Sequence, residues 1–453
     1  MYSSLSLAWA IAFAFITASN AFRNVLYIDE WHPDIPADHN VTTGITHVTM
    51  AFVDPINFTT TDHYPSPPIM SVQDVRSYFD NDTKVGIALG GWGPFSSSFG
   101  VVSTEQYRAN FSTNLAEWMD QQGYDFVDID WEYPGGNGAQ KPTDAAAEIE
   151  NFPLFLQAIK GKLKPERGIS LAVAGVLDGM KAFNSPEQSK IIWDNIDFIT
   201  VMAYDFVNRA SHMTGHHTDA ESCKAAVQRY IDLGLPADKI NLGFAFYAKY
   251  FQVDEACNNF TVPDGCSIVS AQDADGTDTF TSGVLTYQMR NMERPPIPAT
   301  LQLSPDATCG YYNNTLTGYK CSESYCCAES GWCGNETAHC VPNCQVGFGR
   351  CDGPDAVVSF QKARENSNYD QQKGALWYFD ETTSPKLFWT WENTTLMSRK
   401  FDEIINNPAN MLGGVSGWSL GENSAGWEHV QQMQNMTRLR NSGGQDQECP
   451  PFP

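Results

Sequence analysis

The sequence predicts an α/β fold, a (β/α)8 TIM barrel interrupted by an α+β insertion between its seventh and eighth strands. Seven short apolar runs alternate with segments long enough for helices, which is typical of parallel strands joined by helical crossovers. An eighth run follows only after a long gap, and eight parallel strands close a barrel. An open doubly wound sheet is the alternative. That fold needs a glycine-rich phosphate loop after its first strand, and the segment Asp29-Glu30-Trp31-His32 is not one.

The predicted strands are rich in Val, Ile, Phe and Tyr, which favour extended backbone. They lie at Val25–Ile28, Val48–Val53, Val85–Leu89, Phe126–Trp131, Ser170–Ala174, Phe198–Met202, Asn241–Phe246 and Val415–Leu420. The clearest helical patterns between them are Thr104–Gln122, Glu148–Leu163 and Ala220–Leu233. We therefore expect barrel strands one to seven in residues 22–251, an insertion at 252–390, the eighth strand and last helix at 391–438, and a tail at 439–453.

The N-terminal residues 1–21 are typical of a signal peptide. Their apolar run, Leu5–Ile16, is too short to span a bilayer, and small residues at Ser19 and Ala21 suit cleavage before Phe22. A buried core helix is the alternative for this run. No later stretch offers about 18 consecutive apolar residues, so we expect a secreted, extracellular protein without membrane insertion. Nine Asn-x-Ser/Thr acceptors suit a eukaryotic secretory route: Asn40, Asn57, Asn81, Asn110, Asn259, Asn313, Asn335, Asn393 and Asn435.

The composition excludes an intrinsically disordered chain, because only 18% of the residues are charged and 12 Trp with 26 Phe can bury a large core. Basic residues number 28 and acidic residues 53, which gives a formal net charge of −25. Such a charge repels phosphate backbones and anionic lipid. We therefore expect no nucleic-acid partner and favour a neutral or cationic ligand. We also expect a monomer that needs no cofactor.

The cysteines are unevenly placed, since eight of the 12 fall between Cys309 and Cys351. In an exported protein this density predicts a small module whose core consists mostly of disulfides. A zinc site is the rival interpretation, but the adjacent Cys326-Cys327 does not supply the paired C-x-x-C units that zinc sites favour. We therefore predict disulfides and no metal. The module lies inside the insertion, which is too long to be a bare loop.

The remaining cysteines and one histidine pair allow simpler expectations. Cys257 and Cys266 lie close together in the insertion and should form a bridge. Cys223 and Cys449 either pair with each other or stay free. The dipeptide His216-His217 lies in a polar segment, where we expect it to be solvated rather than to bind a metal.

The fourth predicted strand, within Tyr124–Tyr133, carries the strongest chemical signal. Because side chains alternate along a strand, Asp128, Asp130 and Glu132 share one face. If the apolar residues between them pack on helices, these carboxylates point into the barrel about 6.6 Å apart, and they cannot all ionise. The retained proton makes a general acid at the C-terminal face, where barrel active sites lie. An edge strand with a solvated acidic face is the alternative.

Other strand ends add groups that suit a carbohydrate. The sixth strand ends in Met202-Ala203-Tyr204-Asp205, and the eighth contains Gly417-Trp418-Ser419. Trp31 and Trp92 follow the first and third strands. Sugar rings have apolar faces and hydroxyl edges, so aromatic rings beside carboxyl groups predict a carbohydrate site. Any one of these Trp residues is more often core than ligand platform, but together they favour a binding function.

These motifs resemble glycoside hydrolase family 18, the chitinases. The segment Asp125–Glu132 matches the family's D-x-x-D-x-D-x-E signature, and Leu89-Gly90-Gly91-Trp92 resembles its third-strand motif, with Ala88 in place of a Ser. Met202-x-Tyr204-Asp205 resembles its sixth-strand motif. Two later segments are similar to fungal killer-toxin-like chitinases, namely Phe388-Trp389-Thr390-Trp391 and Trp418-Ser419-Leu420-Gly421-Glu422. The resemblance covers roughly Asn24 to Ser424.

The resemblance implies a retaining hydrolase of β-1,4 bonds between N-acetylglucosamine units of chitin, with the substrate's own acetamide as nucleophile. Glu132 would be the acid/base, and Asp130 would turn from Glu132 to the acetamide nitrogen, with Asp128 as its charge partner. Tyr204 would hydrogen-bond the acetamide oxygen and Asp205 would hold the distorted sugar. A non-catalytic chitin lectin and a killer-toxin-like subunit are the alternatives, although lectins of this family usually lack the acid.

The same resemblance implies residues that bind the sugar chain. Trp418 would form the floor beneath the distorted ring, and Trp31 and Trp92 would be stacking platforms in flanking subsites. Tyr27, Phe52 and Met202 would pack around the acetamide methyl group, or they are ordinary barrel core.

The cysteine-rich module resembles a hevein-like type 1 chitin-binding module, since it contains Cys321-x4-Cys326-Cys327-x5-Cys333-Gly334-x5-Cys340. That resemblance implies the pairs Cys309–Cys327, Cys321–Cys333, Cys326–Cys340 and Cys344–Cys351, whereas the spacing alone leaves the connectivity open. Ala328, Ser330 and His339 stand where the pattern has a Ser, a Trp and an aromatic residue, which leaves Trp332. The module therefore either retains chitin affinity through Trp332 or is purely structural.

Overall fold

The structure is a computed structural model that describes residues 21–442 except 62–63, 137, 258–264, 275, 294–295, 313–314 and 342. Its first strands run parallel and pair in chain order: β1 (Arg23–Asp29), β2 (His47–Val53), β3 (Lys84–Gly90), β4 (Phe126–Asp130), β5 (Gly168–Ala174), β6 (Phe198–Met202) and β7 (Ile240–Ala245).

Helices connect these strands on the outside of the sheet: α1 (His39–Thr42), α2 (Val72–Arg76), α3 (Pro94–Val102), α4 (Glu105–Gln122), α5 (Ala145–Lys160), α6 (Pro186–Asp194) and α7 (Ala220–Asp232). Local sequence explains several ends. The side chains of Asp144 and Asp219 accept backbone N–H bonds at the first turns of α5 and α7. Gly123, at a φ of 85°, ends α4 in the left-handed conformation that glycine adopts at little cost.

The chain after β7 builds a second sheet and the cysteine-rich module. Its strands are β8 (Tyr247–Gln252), β9 (Ser282–Thr286), β10 (Gln302–Leu303), β11 (Tyr311–Tyr312), β12 (Thr315–Leu316), β13 (Tyr319–Lys320), β14 (Cys326–Cys327), β15 (Cys333–Gly334), β16 (Asn368–Asp370), β17 (Ala375–Asp380) and β18 (Leu387–Trp391). Its helices are α8 (Met289–Met292), α9 (Thr337–Cys340) and α10 (Ala356–Glu365). An antiparallel sheet in the order β16-β17-β18-β8-β9 forms the inserted sheet, and β10 to β15 pair within the module.

The barrel closes after helix α11 (Thr394–Lys400). Strand β19 (Gly414–Trp418) lies between β1 and β7, and helix α12 (Glu428–Asn441) follows it. The neighbour order β1-β19-β7-β6-β5-β4-β3-β2 is a closed barrel, which confirms the predicted (β/α)8 fold and excludes the open sheet.

Element ends differ from the prediction at a few places. Strand β4 ends at Asp130, so Trp131 and Glu132 lie just beyond it. Helix α5 begins at Ala145, ahead of the predicted Glu148, because Asp144 caps it. A single residue separates β7 from β8. Residues 247–251, which we grouped with the barrel, therefore pair in the inserted sheet.

Two apolar layers fix which way β4 faces. Val127, Ile129 and Trp131 belong to the main core, which includes residues of the outer helices such as Phe155 of α5. Phe126 belongs to a separate cluster inside the barrel. Since alternate residues face the same way, Asp128 and Asp130 share the inner face with Phe126.

Within the described residues there are five disulfides: Cys257–Cys266, Cys309–Cys327, Cys321–Cys333, Cys326–Cys340 and Cys344–Cys351. Cys309, Cys321 and Cys327 form the buried centre of the module together with Phe348. Cys223 is buried and forms no bridge with another described cysteine. The module therefore has the sulfur-rich core expected from its composition.

Several expectations concern surface or terminal residues. Residues 1–20, Asn259, Asn313, Cys449 and the end of the tail, 443–453, lie outside the described residues. Of the other glycosylation candidates, Asn40, Asn81, Asn110 and Asn335 are exposed, and Asn57, Asn393 and Asn435 are partly exposed. None of the helices in the described part of the chain combines the length and apolar character needed to cross a bilayer.

Candidate active site

The carboxyl group of Asp128 lies deep inside the barrel beneath the strand ends. The hydroxyl of Tyr27 donates to its Oδ2 at 2.8 Å and the hydroxyl of Ser170 donates to its Oδ1 at 2.6 Å. Burial raises the pKa of Asp128 to about 6, while these two hydrogen bonds favour the ionised form and limit the rise. Asp128 is thus a buried carboxyl group that ionises close to neutral pH.

Asp130 and Glu132 follow on the same side of the chain. Asp130 is buried, and its Oδ1 has no hydrogen-bond partner among the described residues. Burial, with the neighbouring charges of Glu132 and Asp128, raises the pKa of Asp130 well above its usual value. Burial also raises the pKa of Glu132 to about 7, although a hydrogen bond from Tyr133 lowers it. The pair therefore retains a proton at neutral pH, as a general acid requires.

Asp205, which follows β6, stays ionised beside this pair. Its Oδ1 accepts a hydrogen bond from the hydroxyl of Tyr247 at 2.9 Å and lies 3.0 Å from Nζ of Lys249. Burial raises the pKa of Asp205, but Lys249 and His217 outweigh that effect and hold it well below its usual value. Near neutral pH the site thus contains the ionised Asp205 beside the pair of Asp130 and Glu132, which retains a proton.

The hydroxyl of Tyr204 stays protonated in this acidic surrounding. Burial raises its pKa well above the usual value, and the charges of Asp130, Glu132 and Asp205 raise it further. A neutral phenol is a hydrogen-bond donor. The structure therefore brings together Tyr204, Asp205 and the acidic residues of β4, which are far apart in sequence.

The expectation that His216 and His217 are solvated is wrong. Both are buried, since 3% of His216 and 0% of His217 is exposed. Nε2 of His216 lies 3.1 Å from Asp370, and Nδ1 of His217 lies 3.7 Å from Asp205. Burial lowers the pKa of His217 to about 4, so its ring is neutral near pH 7. Burial of these rings beside distant carboxylates is a tertiary feature, which a sequence pattern does not reveal.

Aromatic rings line the barrel mouth next to these groups. The ring of Trp418 stacks on Phe52 with centroids 5.4 Å apart and packs on Tyr27 at 5.5 Å. Trp31 packs against Phe52 at 6.3 Å. Trp31 and Trp92 are 61% and 56% exposed. Exposed rings near buried carboxyl groups are suited to sugar faces.

Met202 and Tyr27 are buried like core residues, as is Ala88. Phe52 is partly exposed. The stacked rings of Phe52 and Trp418 therefore form one side of the barrel mouth. Tyr27 is fixed beside them by its hydrogen bond to Asp128.

Sequence reasoning missed two groups of site residues. The first is Tyr247 with Lys249 on β8, whose alternate spacing, directly after a barrel strand, was the available signal. The second is a cluster at the ends of β1 and β19. Asp29 accepts hydrogen bonds from Ser419 at 2.5 Å and pairs with Nδ1 of His32 at 3.0 Å, and Glu422 accepts the Ser419 N–H at 3.2 Å.

This second cluster fixes the turn that follows Trp418. Burial raises the pKa of Glu422 to about 8, so its carboxyl group is largely protonated at neutral pH. Burial lowers the pKa of His32, but Asp29 and Glu422 outweigh it and raise the value overall. Because Ser419 is bonded to both acids, the adjacent Trp418 is held by the chain on one side and by Phe52 on the other.

In the described part of the chain, only two clusters bring three potential metal ligands together. They are Cys309 with Cys321 and Cys327, and Cys326 with Cys340 and Asp352. All of these cysteines are bridged, so their sulfurs are not free to act as thiolate ligands.

The family model described as Glycosyl hydrolases family 18 matches residues 23–423. The chain belongs to glycosyl hydrolase family 18. The match begins at the first residue of β1 and ends after β19, so the barrel, the inserted sheet and the module all lie inside it.

Two relatives and one solved structure are similar to this family 18 chain. Chitotriosidase-1 of Mus musculus is 26% identical over 313 residues, which cover 62% of this chain and 65% of that protein. "Killer toxin subunits alpha/beta" of Kluyveromyces lactis is 28% identical over 213 residues, which cover 44% of this chain and 18% of that protein. A mutant class V chitinase of Nicotiana tobaccum in complex with NAG4 has a TM-score of 0.58 at 13% identity, covering 92% of this chain and 99% of its own.

The chain spans less than two thirds of the length of the curated relatives it matches. The likeness to the solved structure, at low identity, shows the shared fold. Membership in family 18 therefore rests on the family match, and the activity is derived from the site.

Proposed function

We propose that this family 18 chain is a secreted chitinase that hydrolyses β-1,4 bonds between N-acetylglucosamine units with retention of configuration. The observation that carries the proposal is the pKa of Glu132, raised to about 7, beside the buried Asp130 and the neutral phenol of Tyr204. Chitinase names among the relatives and the NAG4 complex of the Nicotiana tobaccum enzyme support the choice of substrate.

In the first step the proton of Glu132 moves to the glycosidic oxygen as the bond from that oxygen to the anomeric carbon breaks. The acetamide carbonyl oxygen of the same sugar bonds to the anomeric carbon, which forms an oxazolinium ion. Asp130 accepts the acetamide N–H, and Tyr204 donates to the acetamide oxygen. No enzyme carboxylate bonds to the sugar. The ionised Asp128 balances the positive charge that develops.

In the second step water attacks the anomeric carbon and the bond to the acetamide oxygen breaks. The carboxylate of Glu132 takes the proton of that water, which restores the acid. Two displacements at one carbon retain its configuration. Asp205, kept ionised by Lys249, accepts hydrogen bonds from the hydroxyls of the distorted sugar.

The sugar chain would lie across the aromatic rings of the mouth. Trp418 would support the distorted ring, while Trp31 and Trp92 are exposed enough to stack on flanking units. Phe52, Tyr27 and Met202 would surround the acetamide methyl group.

We propose that the module at 309–351 is hevein-like and binds chitin weakly through Trp332, which is 41% exposed. The five bridges favour an oxidising compartment, in agreement with a secreted protein. A toxin subunit is the second candidate, because one relative carries that name. A lectin role is disfavoured because the acid is present.

Glu132→Gln tests the proposal on colloidal chitin and chitotetraose. Loss of the proton donor should lower turnover by about 10²- to 10⁴-fold while oligosaccharide binding is kept. Glu150→Gln, an exposed change on α5, is the matched control and should turn over normally. NMR of the first product should give the β-anomer. Full turnover by Glu132→Gln would refute the assignment, and binding without hydrolysis by the unaltered chain would favour the lectin or toxin role.

A further inference from the structure

A cavity of about 810 Å³ lies beside Glu132. Glu132 and Tyr133 line one side of it, and Ser96, Gly100 and Glu148 line another. Asp130, Tyr204 and Trp418 are not among its lining residues. The segment that carries the acid therefore borders open space on this side, whereas the adjacent Trp131 stacks on Phe99.

Ser96 of α3 holds the near end of this segment. The backbone N–H of Glu132 donates to Oγ of Ser96 at 2.6 Å. Ser96 is buried, whereas its neighbour Ser97 is exposed and donates instead to the carbonyl oxygen of Pro94 at 2.6 Å. Only one of these two adjacent serines thus reaches the acid's backbone.

Glu148 of α5 holds the far end. Its Oε2 accepts the backbone N–H of Gly135 at 3.0 Å. Glu148 is only 9% exposed, which is unusual for a carboxylate that has no salt bridge to any residue the structure describes. A Cβ added to Gly100 would lie 2.9 Å from its Oε1, so the glycine leaves the room that this carboxylate needs.

We propose that Ser96 and Glu148 are positioning residues that together hold the segment 132–135 so that Glu132 presents its proton to the leaving oxygen. This inference rests on the proposed role of Glu132 and extends it to two residues that do not touch the substrate. On the side of the segment that faces the cavity, these two hydrogen bonds supply the constraint.

The test compares two substrates that differ in their need for an acid. Chitotetraose has an alkoxide leaving group that must be protonated, whereas the 2,4-dinitrophenyl glycoside of chitobiose releases a stable phenolate. Glu148→Ala and Ser96→Ala should lower kcat for chitotetraose about 10- to 100-fold, with KM changed less than about two-fold. Both should lower turnover of the dinitrophenyl substrate less than that of chitotetraose, because its first step needs no proton and Glu132 acts on it only in the second step, as the base that takes the proton of water.

Matched variants separate positioning from a structural role. Glu148→Gln keeps a carbonyl acceptor and should restore most of the activity. Ser97→Ala and Glu150→Ala alter neighbouring residues without touching the segment and should behave as the unaltered chain. Gly100→Ala favours helix α3 but displaces Glu148, so it should lower kcat for chitotetraose without lowering the unfolding temperature. This last variant keeps the test valid if Glu148→Ala folds poorly.

Equal losses on both substrates, or no loss on chitotetraose, would overturn the positioning role. If Glu132→Gln is inactive while Glu148→Ala and Gly100→Ala remain fully active, only this inference falls. If Glu132→Gln hydrolyses chitotetraose as fast as the unaltered chain, the proposed acid and its positioning residues fall together.

Discussion

Nζ of Lys249, on the inserted sheet, lies 3.0 Å from Oδ1 of Asp205, at the end of barrel strand β6. Tyr247 donates to the same carboxylate at 2.9 Å. Because β8 begins directly after β7, the insertion delivers both side chains to the barrel mouth. The inserted sheet is therefore a part of the site and sets the charge of one of its carboxyl groups.

Lys249→Met should weaken substrate binding. Without the ammonium, the pKa of Asp205 rises toward its usual value, because the ion pair that lowers it is lost. We expect KM for chitotetraose to rise about two- to five-fold near pH 7, in line with a partly exposed ion pair. The loss should grow as the pH falls, since more of Asp205 becomes protonated.

Lys190→Met is the control for that change. Lys190 forms an exposed ion pair with Asp194 at 2.6 Å on the surface of α6. Its removal should leave KM as it is. A Lys249→Met chain whose KM matches that of the control at every pH would show that the pair does not support binding.

The pH dependence of turnover should follow two groups with opposite requirements. Glu132 must be protonated, and burial raises its pKa to about 7, so kcat/KM should fall as the pH rises through about 7. Asp128 must be ionised, and burial raises its pKa to about 6, so kcat/KM should also fall as the pH drops through about 6. Rates on chitotetraose should therefore peak between these values. Activity that keeps increasing above pH 8 would contradict this assignment.

The spacing of the acidic residues, together with the family resemblance, was enough to predict the inward-facing carboxyl groups of β4. Alternation along a strand places Asp128 and Asp130 on one face, and the apolar residues between them made the inward direction of that face predictable. The eight strands were predictable for a similar reason, because each must bury apolar side chains and so carries a local pattern.

Contacts between distant segments were not predictable in this way. His217 looked solvated because its neighbours in sequence are polar, yet it is buried against Asp205. The cluster of Asp29 with Ser419 joins residues 390 positions apart, which no local pattern records. Partners of buried polar groups are set by tertiary packing rather than by propensity.

Tyr27→Phe should move the acidic side of the pH profile upward. Tyr27 donates to the ionised form of Asp128 at 2.8 Å and so lowers its pKa. A hydrogen bond to a charged group contributes about 1.5 kcal/mol, which corresponds to a shift of about one pH unit. The alkaline side, governed by Glu132, should stay in place.

Tyr230→Phe is the matched control, because the Tyr230 hydroxyl is also buried but donates to the carbonyl oxygen of Ala174 at 2.7 Å, away from the acids. Both variants remove one buried hydroxyl, so a comparable loss of stability is expected from each. A profile shifted equally in both variants would mean that the change reflects the fold rather than the charge of Asp128.

Trp332→Ala should weaken adsorption of the protein to insoluble chitin. Trp332 is 41% exposed on the module, and Tyr312 packs edge-on against it with ring centroids 5.1 Å apart, so its ring is held rigidly enough to stack on a sugar. Loss of one stacking ring should weaken binding about ten-fold. Adsorption isotherms of variants carrying Glu132→Gln, which should not degrade the chitin, would measure the effect directly.

Tyr325→Ala is the control, because Tyr325 is an equally exposed aromatic residue of the same module, also 41%. If Trp332→Ala adsorbs as strongly as Tyr325→Ala and the unaltered chain, the module has only a structural role and the barrel mouth alone binds the polymer.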